Sequence, residues 1–210
     1  MRCFASWKSG VLISVFFILL ILMPLRAGAA EAAPSDVVKK FNASLLEAMK
    51  RADELGYQGR YKLLGPVIKD SFDLSFMAGQ SAGRHWRTLT DPQKSLLVET
   101  FADWTIATYA ARFDGYSGEK FEIASVSAPR DGIATVVSKL IKSDNGEIVF
   151  YYLLKKSGNG WRIIDIQISG VSQLALTRAQ FSDVLKSKGI DGLIAMLKGK
   201  VEEYSRDEKK

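Results

Sequence analysis

Cysteine and histidine are nearly missing from this chain of 210 residues, which holds one of each, Cys3 and His85. A disulfide framework is therefore excluded, and so are thiolate–imidazole catalysis and the Cys/His clusters of structural zinc sites. Every nucleophile–histidine pair would have to use His85. That residue sits between Arg84 and Trp86, where a neighbouring cation disfavours an imidazolium, and no second histidine gives it an H-x-x-x-H spacing. A structural or surface role is expected for His85, with no metal and no cofactor. G-x-S-x-G, a phosphate-cradling glycine loop and C-x-x-C are also absent. Ser117-Gly118-Glu119-Lys120 and Ser143-Asp144-Asn145 imitate two parts of the penicilloyl-serine signature. The third part, K-T-G, is missing, and both fragments fall in turns where Ser, Gly, Asp and Asn serve the backbone. No catalytic constellation emerges, so a binding protein is expected rather than an enzyme.

Long apolar runs are also scarce. The one present, Val11 to Met23, is shorter than the about 20 residues that cross a bilayer. It follows Arg2 and Lys8 and precedes Pro24 and the small residues Ala27-Gly28-Ala29-Ala30, the pattern of a cleaved secretory signal. No cysteine stands at the cleavage point to accept a lipid. Residues 1–29 are read as that signal, 30–205 as a single domain and 206–210 as a charged tail, in a protein exported to the periplasm. Cleavage would remove Arg2, Lys8, Arg26 and Cys3 and no acidic residue, lowering the net charge from +6 to about +3. A nucleic-acid partner loses its support, and the remaining chain must be held by packing alone.

What is present is a change of period. Val37, Val38, Phe41, Leu45, Met49 and Ala52 recur at helical steps between Ser35 and Leu55. Shorter helices are expected at Tyr57 to Ile68, interrupted by Gly65-Pro66, and at Leu74 to Gly83. Thr90-Asp91-Pro92-Gln93 opens a long helix to about Phe113 with a cap, a first-turn proline and a capping-box glutamine. After Gly115 the reading becomes Lys120 to Ser127, Ile133 to Lys142, Ile148 to Lys155 and Trp161 to Ile168, four strands of an antiparallel meander. Asp144-Asn145-Gly146 and Ser157-Gly158-Asn159-Gly160 supply its turns. Two helices follow, Thr177 to Lys188 and Asp191 to Tyr204, parted by Gly189. The order helices, sheet, helices predicts an α+β fold.

Ile148 to Leu154 is apolar or aromatic at every position, and Ile163, Ile164, Ile166 and Ile168 nearly repeat this. A meander with one wet face alternates instead. Either helices cover both faces, or one face borders a ligand cavity or a partner.

The stretches Trp86-Arg87-Thr88-Leu89-Thr90-Asp91-Pro92-Gln93-Lys94, Trp161-Arg162-Ile163-Ile164-Asp165-Ile166 with Gly170-Val171-Ser172, and Lys188-Gly189-Ile190-Asp191-Gly192-Leu193 resemble the periplasmic MlaC or toluene-tolerance family, closest to its hopanoid-associated HpnM type. The likeness spans nearly the whole chain after the signal. It implies a curved antiparallel four-stranded sheet embraced by N- and C-terminal helices, similar to the cystatin or NTF2-like arrangement. It also implies a carrier of phospholipid or a hopanoid-type lipid, working between an outer-membrane lipoprotein/porin complex and an inner-membrane ABC transporter. The acyl chains would lie inside and the head group outside. Residue types on the matching elements nominate Phe101, Trp104, Tyr109, Phe150, Tyr152, Leu154, Ile164, Ile166 and Val171 as pocket lining, with Leu193 and Leu197 closing from the last helices. Asp165 and the glycines are read as structural. The competing expectations are a small-molecule enzyme on an NTF2-like fold, which needs an acid–base pair in the pocket, and an adaptor docking a protein on the apolar sheet face.

Overall fold

The computed structural model describes residues 32–127, 132–158 and 160–207. The expected signal, residues 1–29, lies outside the described residues, as do residues 208–210 of the expected tail and Asn159 of the last hairpin turn.

Helix α1 (Pro34–Lys50) is closed at its first turn by Asp36, whose carboxylate accepts the backbone N–H of Ala33 at 3.3 Å. Its apolar stripe buries Val38, Phe41, Leu45, Ala48 and Met49. Helix α2 (Ala52–Ser71) follows almost at once, and the break in direction falls at Gly56, with φ 57° and ψ 179°, a conformation that glycine adopts without steric cost. The helical stripe therefore runs to Leu55, as its spacing predicts. Gly65-Pro66 does not interrupt α2, contrary to the sequence reading. An internal proline costs about 3 kcal/mol, whereas burying Leu64 and Ile68 on either side of it contributes about 1.5–3 kcal/mol each. Packing outweighs the missing hydrogen bond.

Asp73 caps α3 (Leu74–Ala82) by accepting from the Phe76 N–H at 3.0 Å. A 3-10 turn, Gly83–Thr88, leads to α4 (Asp91–Arg112). There Thr90 and Gln93 form the expected reciprocal box, the Thr90 N–H donating to Gln93 Oε1 at 2.9 Å. Arg60, buried in α2, donates to the carbonyls of Ala110 and Ala52 at 2.9 and 3.1 Å. A cation is thereby set on the C-terminal turn of α4, where the helix dipole favours it.

The sheet has five antiparallel strands in sequence order: β1 (Lys120–Val126), β2 (Ile133–Ile141), β3 (Glu147–Ser157), β4 (Gly160–Ile168) and β5 (Val171–Ser172). The expected count of four omits β5, which at two residues has no period to read. Asn145 takes φ 62° in the turn between β2 and β3, a left-handed conformation that asparagine tolerates. Two devices cover the edge of β4. β5 pairs with Gln167 and Ile168, and further along Phe72 bridges Ile163 while the Asp73 N–H donates to the Ile163 carbonyl at 2.9 Å.

Helix α5 (Gln173–Asp207) closes the chain and changes direction at Gly189, with φ 65° and ψ −166°, the point where the sequence separates two helices. Its first turn is capped twice. Ser172 Oγ accepts from Ala175 N–H and Asp165 Oδ1 from Leu174 N–H, both at 3.0 Å, so Asp165 is structural, as expected.

Candidate functional site

The inner face of the sheet follows from its register. Tyr152 stands opposite Val136 and Ile166, Leu154 opposite Ala134 and Ile163, and Phe150 opposite Ser138 and Ile168. These side chains form a continuous apolar row across three strands, and most are fully buried. Helix α1 lies against it. Phe41 meets Phe72, Tyr109 and Tyr152 edge to face, with centroids 5.0, 5.2 and 6.2 Å apart. Tyr109 stacks on Phe113, and Phe150 lies between Phe121 and Tyr152. Such pairs add about 0.5–1.5 kcal/mol each beyond the area they bury.

One polar chain crosses this layer. Tyr152 Oη donates to Asn42 Oδ1 at 2.9 Å, Asn42 Nδ2 donates to Ser138 Oγ at 2.8 Å, and Ser138 Oγ donates to the Glu122 carbonyl at 3.0 Å. Each buried member has a partner, as a buried polar network must. Burial pushes the Tyr152 phenol well above its usual range, so it stays a donor. The chain ties α1 to β2 and β3.

The sequence-nominated residues divide into groups. Tyr109, Phe150, Tyr152, Leu154 and Ile166 meet in the layer between sheet and helices. Phe101 and Trp104 join Phe181 in a second ring cluster between α4 and α5, with centroids 5.6–6.2 Å apart. Leu193 and Leu197 are fully buried on α5 in the same hydrophobic core. Val171 lies on β5 and is 46% exposed. Ile164 is buried, yet it stands outside the row. Leu154 pairs with Ile163 and Leu153 with Asp165, so Ile164 is the extra residue of a β-bulge. Strict alternation pairs Ile164 with Ile166, while the bulge puts Ile163 beside Ile166 instead.

Phe41, Asn42, Phe72, Phe121, Ser138 and Phe181 were not nominated. Phe41 had a signal in the α1 stripe, but nothing local marks Asn42 or Ser138, which meet across 96 positions of sequence. The outer face carries Val137, Val149, Tyr151 and Leu153, half-buried to exposed, with Tyr151 keeping 41% of its surface. The doubly apolar strands are thus covered by α1 on one face and left partly open on the other. His85 is half-buried in the 3-10 turn, and its Nε2 has no partner among the described residues. Those residues hold no group of three or more His, Cys, Asp and Glu arranged for a metal, and no helix long and apolar enough to cross a membrane.

A family model described as MlaC protein matches residues 39–199. Among curated relatives, the chain is 26% identical over 183 residues to toluene tolerance protein ttg2D of Pseudomonas putida, covering 83% of this chain and 82% of that one. It is 22% identical over 189 residues to the intermembrane phospholipid transport system binding protein MlaC of Haemophilus influenzae, covering 86% and 88%. Among solved structures, the phospholipid-binding protein from Ralstonia solanacearum in complex with a phospholipid superimposes with a TM-score of 0.70 at 22% identity, covering 81% of this chain and 96% of that one. It shares the fold, an α+β arrangement around an open antiparallel sheet.

Proposed function

Because the chain belongs to the MlaC family, we propose that it is a periplasmic carrier whose acyl-chain site is the apolar layer between the inner face of the sheet and the helices. The observation that carries this reading is the layer itself: a row of large apolar side chains from β2, β3 and β4, faced by Phe41, Phe72 and Tyr109. Ring contacts dominate it, with one polar chain on the α1 side. Lipid enters by parting these surfaces, and Tyr109, Phe150, Tyr152, Leu154 and Ile166 become its lining. Phe101, Trp104, Leu193 and Leu197 set the far wall.

The energetics favour a shuttle over a sink. Burying a methylene contributes about 0.8 kcal/mol relative to water, so two long chains gain more than about 20 kcal/mol. A bilayer already supplies that burial. Net transfer from membrane to protein then lies near zero, and loading is reversible. Extraction through water is slow, which calls for membrane-bound partners at both ends. The family resemblance implies an outer-membrane lipoprotein/porin complex and an inner-membrane ABC transporter in those roles, and the Haemophilus relative is named as the binding protein of an intermembrane phospholipid transport system. In this reading residues 1–29 are the cleaved signal, residues 30–205 the single lipid-binding domain and residues 206–210 its charged tail.

The test is direct. The exported protein is purified from its native host, extracted with organic solvent and analysed by mass spectrometry, and uptake from labelled vesicles is measured. Stoichiometric phospholipid is expected, and a hopanoid-type lipid in its place would reassign the cargo. Protein that carries no lipid and takes none up overturns the reading.

A further inference from the structure

A second feature lies apart from the ring layer. Phe76 and Trp86, with Arg84, Arg87 and Arg178, line a cleft of about 540 Å³ where α3, the 3-10 turn and α5 meet, a size typical of sites for small ligands. The two segments that build it contain no acidic residue, from Leu74 to Thr90 and from Ile166 to Ser182. Arg84, Arg87 and Arg178 are exposed, and none forms an ion pair with the described residues. Arg51, by contrast, is paired with Glu47 and Glu54, and Arg162 with Asp70.

The walls are built to fit. A Cβ on Gly83 would come within 3.2 Å of Arg178 Nε, and one on Gly79 within 3.3 Å of the Trp86 indole. Small residues thus let the guanidinium and the ring lie directly on the backbone. Phe76 and Trp86 pack on the hydrophobic core from their inner sides. Lys155 stands 5.3 Å over the Phe76 ring and Lys94 5.9 Å over that of Trp86. The cleft therefore has an aromatic floor and a cationic rim.

We propose that this cleft is a phosphate-binding site that takes the head group of a phospholipid presented at a bilayer surface. Guanidinium forks match phosphate oxygens in bidentate geometry, and a half-buried indole suits the boundary between head groups and chains. A half-open cleft with an aromatic floor fits one head group better than it fits an extended acidic segment, which would need a groove. The choice of a lipid phosphate rests on the carrier reading, while the anionic character of the ligand follows from the cleft alone.

The experiment uses the full exported chain and flotation with vesicles of phosphatidylcholine, with and without phosphatidylglycerol. The wild type binds the anionic vesicles, and binding falls as salt rises from about 50 to about 300 mM. The variant R84Q/R87Q/R178Q loses about tenfold or more in vesicle affinity. A control, K62Q/K142Q/K198Q, removes the same charge from exposed sites and stays within about twofold of wild type. Soluble glycerophosphoglycerol displaces the wild type from vesicles and does not act on the triple arginine variant. Circular dichroism confirms that each variant is folded; if the triple variant is not, the three single substitutions each give about a threefold loss.

Equal losses in the two triple variants would overturn the proposal, since general charge attraction would then explain binding. So would wild-type protein that binds a soluble acidic peptide and ignores vesicles, or that binds the free phosphodiester and ignores vesicles. Lipid content by mass spectrometry separates the two readings. Unchanged vesicle binding with lipid still bound removes the cleft proposal alone, whereas wild-type protein empty of lipid removes the carrier reading.

Discussion

Leu153 and Leu154 are adjacent and identical in chemistry, yet they belong to different parts of the molecule. Leu154 is fully buried in the row that faces α1, while Leu153 lies half-buried on the outer face beside exposed Tyr151. One face of the sheet is joined to the helices by rings and a single polar chain. The other carries similar side chains that are half-buried to exposed. Apolar content therefore does not distinguish the faces; what packs against them does. Truncation should expose this most clearly. Leu154→Ala is expected to destabilise by about 2–5 kcal/mol, and Leu153→Ala by less than about 1 kcal/mol, read from urea midpoints at unchanged m-value. Equal costs would mean that the outer face is covered in solution, by a partner or a second copy.

The polar chain offers the next largest effect and tests whether α1 is fixed by it or only by the rings. Asn42→Ala leaves Tyr152 Oη and Ser138 Oγ short of a partner in a buried layer, at a cost of about 1–3 kcal/mol. Removing the whole chain with N42L/Y152F/S138A is expected to cost less than Asn42→Ala alone, because no orphan group remains. Chemical denaturation of the two variants decides it. If the triple variant is the worse of the two, packing at Asn42 outweighs its hydrogen bonds.

Much of this architecture is readable from the sequence because it is local. The Thr90–Gln93 box, the Asn145-Gly146 turn and the breaks at Gly56 and Gly189 each follow from a few neighbouring residues and the conformations open to them. The four long strands and the α+β order follow from period. Three features are not local. The bulge at Ile164 shifts the face by one residue and has no marker within a strand that is apolar on both sides, so Ile164 and Ile166 look equivalent when Ile163 and Ile166 are the pair. β5 is too short to show a period. The Asn42–Ser138–Tyr152 chain depends on contacts 96 and 110 residues apart. The nominated residues were thus legible only as a class of side chain, and which of them share a face is set by register.

Asp165 ties the bulged strand to the last helix, which makes it the place where the buried and open parts of the sheet are held in phase. Its Oδ1 accepts from the Ile166 N–H at 2.8 Å and from the Leu174 N–H at 3.0 Å. Asp165→Ala is expected to cost about 1–2 kcal/mol, in the range of a lost helix cap with a second backbone donor left unpaired. Asp165→Asn keeps an oxygen acceptor and should recover about half of that. Hydrogen exchange at Leu174 and Ile166 is the sharper readout. Protection should fall there first, and a uniform loss across α5 would argue that Asp165 acts on packing rather than as a cap.

The smallest effect lies where the two faces meet, at Asp70 near the end of α2. Its carboxylate accepts from Lys40 of α1 at 2.6 Å and from Arg162 of β4 at 3.1 Å, clamping a helix and a strand from outside. The Lys40 hydrogen bond holds the Asp70 carboxyl below its usual range, partial burial opposes that shift, and the nearby charges of Lys40 and Arg162 add to it. A carboxyl lowered in the folded state stabilises the fold at pH values above its unfolded range. That contribution fades as pH falls through about 4 and below. All three side chains are more than a third exposed, so screening limits the clamp to less than about 1 kcal/mol. Asp70→Asn should therefore leave the melting temperature almost unchanged in high salt at neutral pH, lower it slightly in low salt, and flatten the acid limb of the stability curve. An acid limb as steep as that of wild type would place the pH-sensitive carboxylates elsewhere. Joining α1 to the sheet would then fall to the rings and the buried polar chain alone.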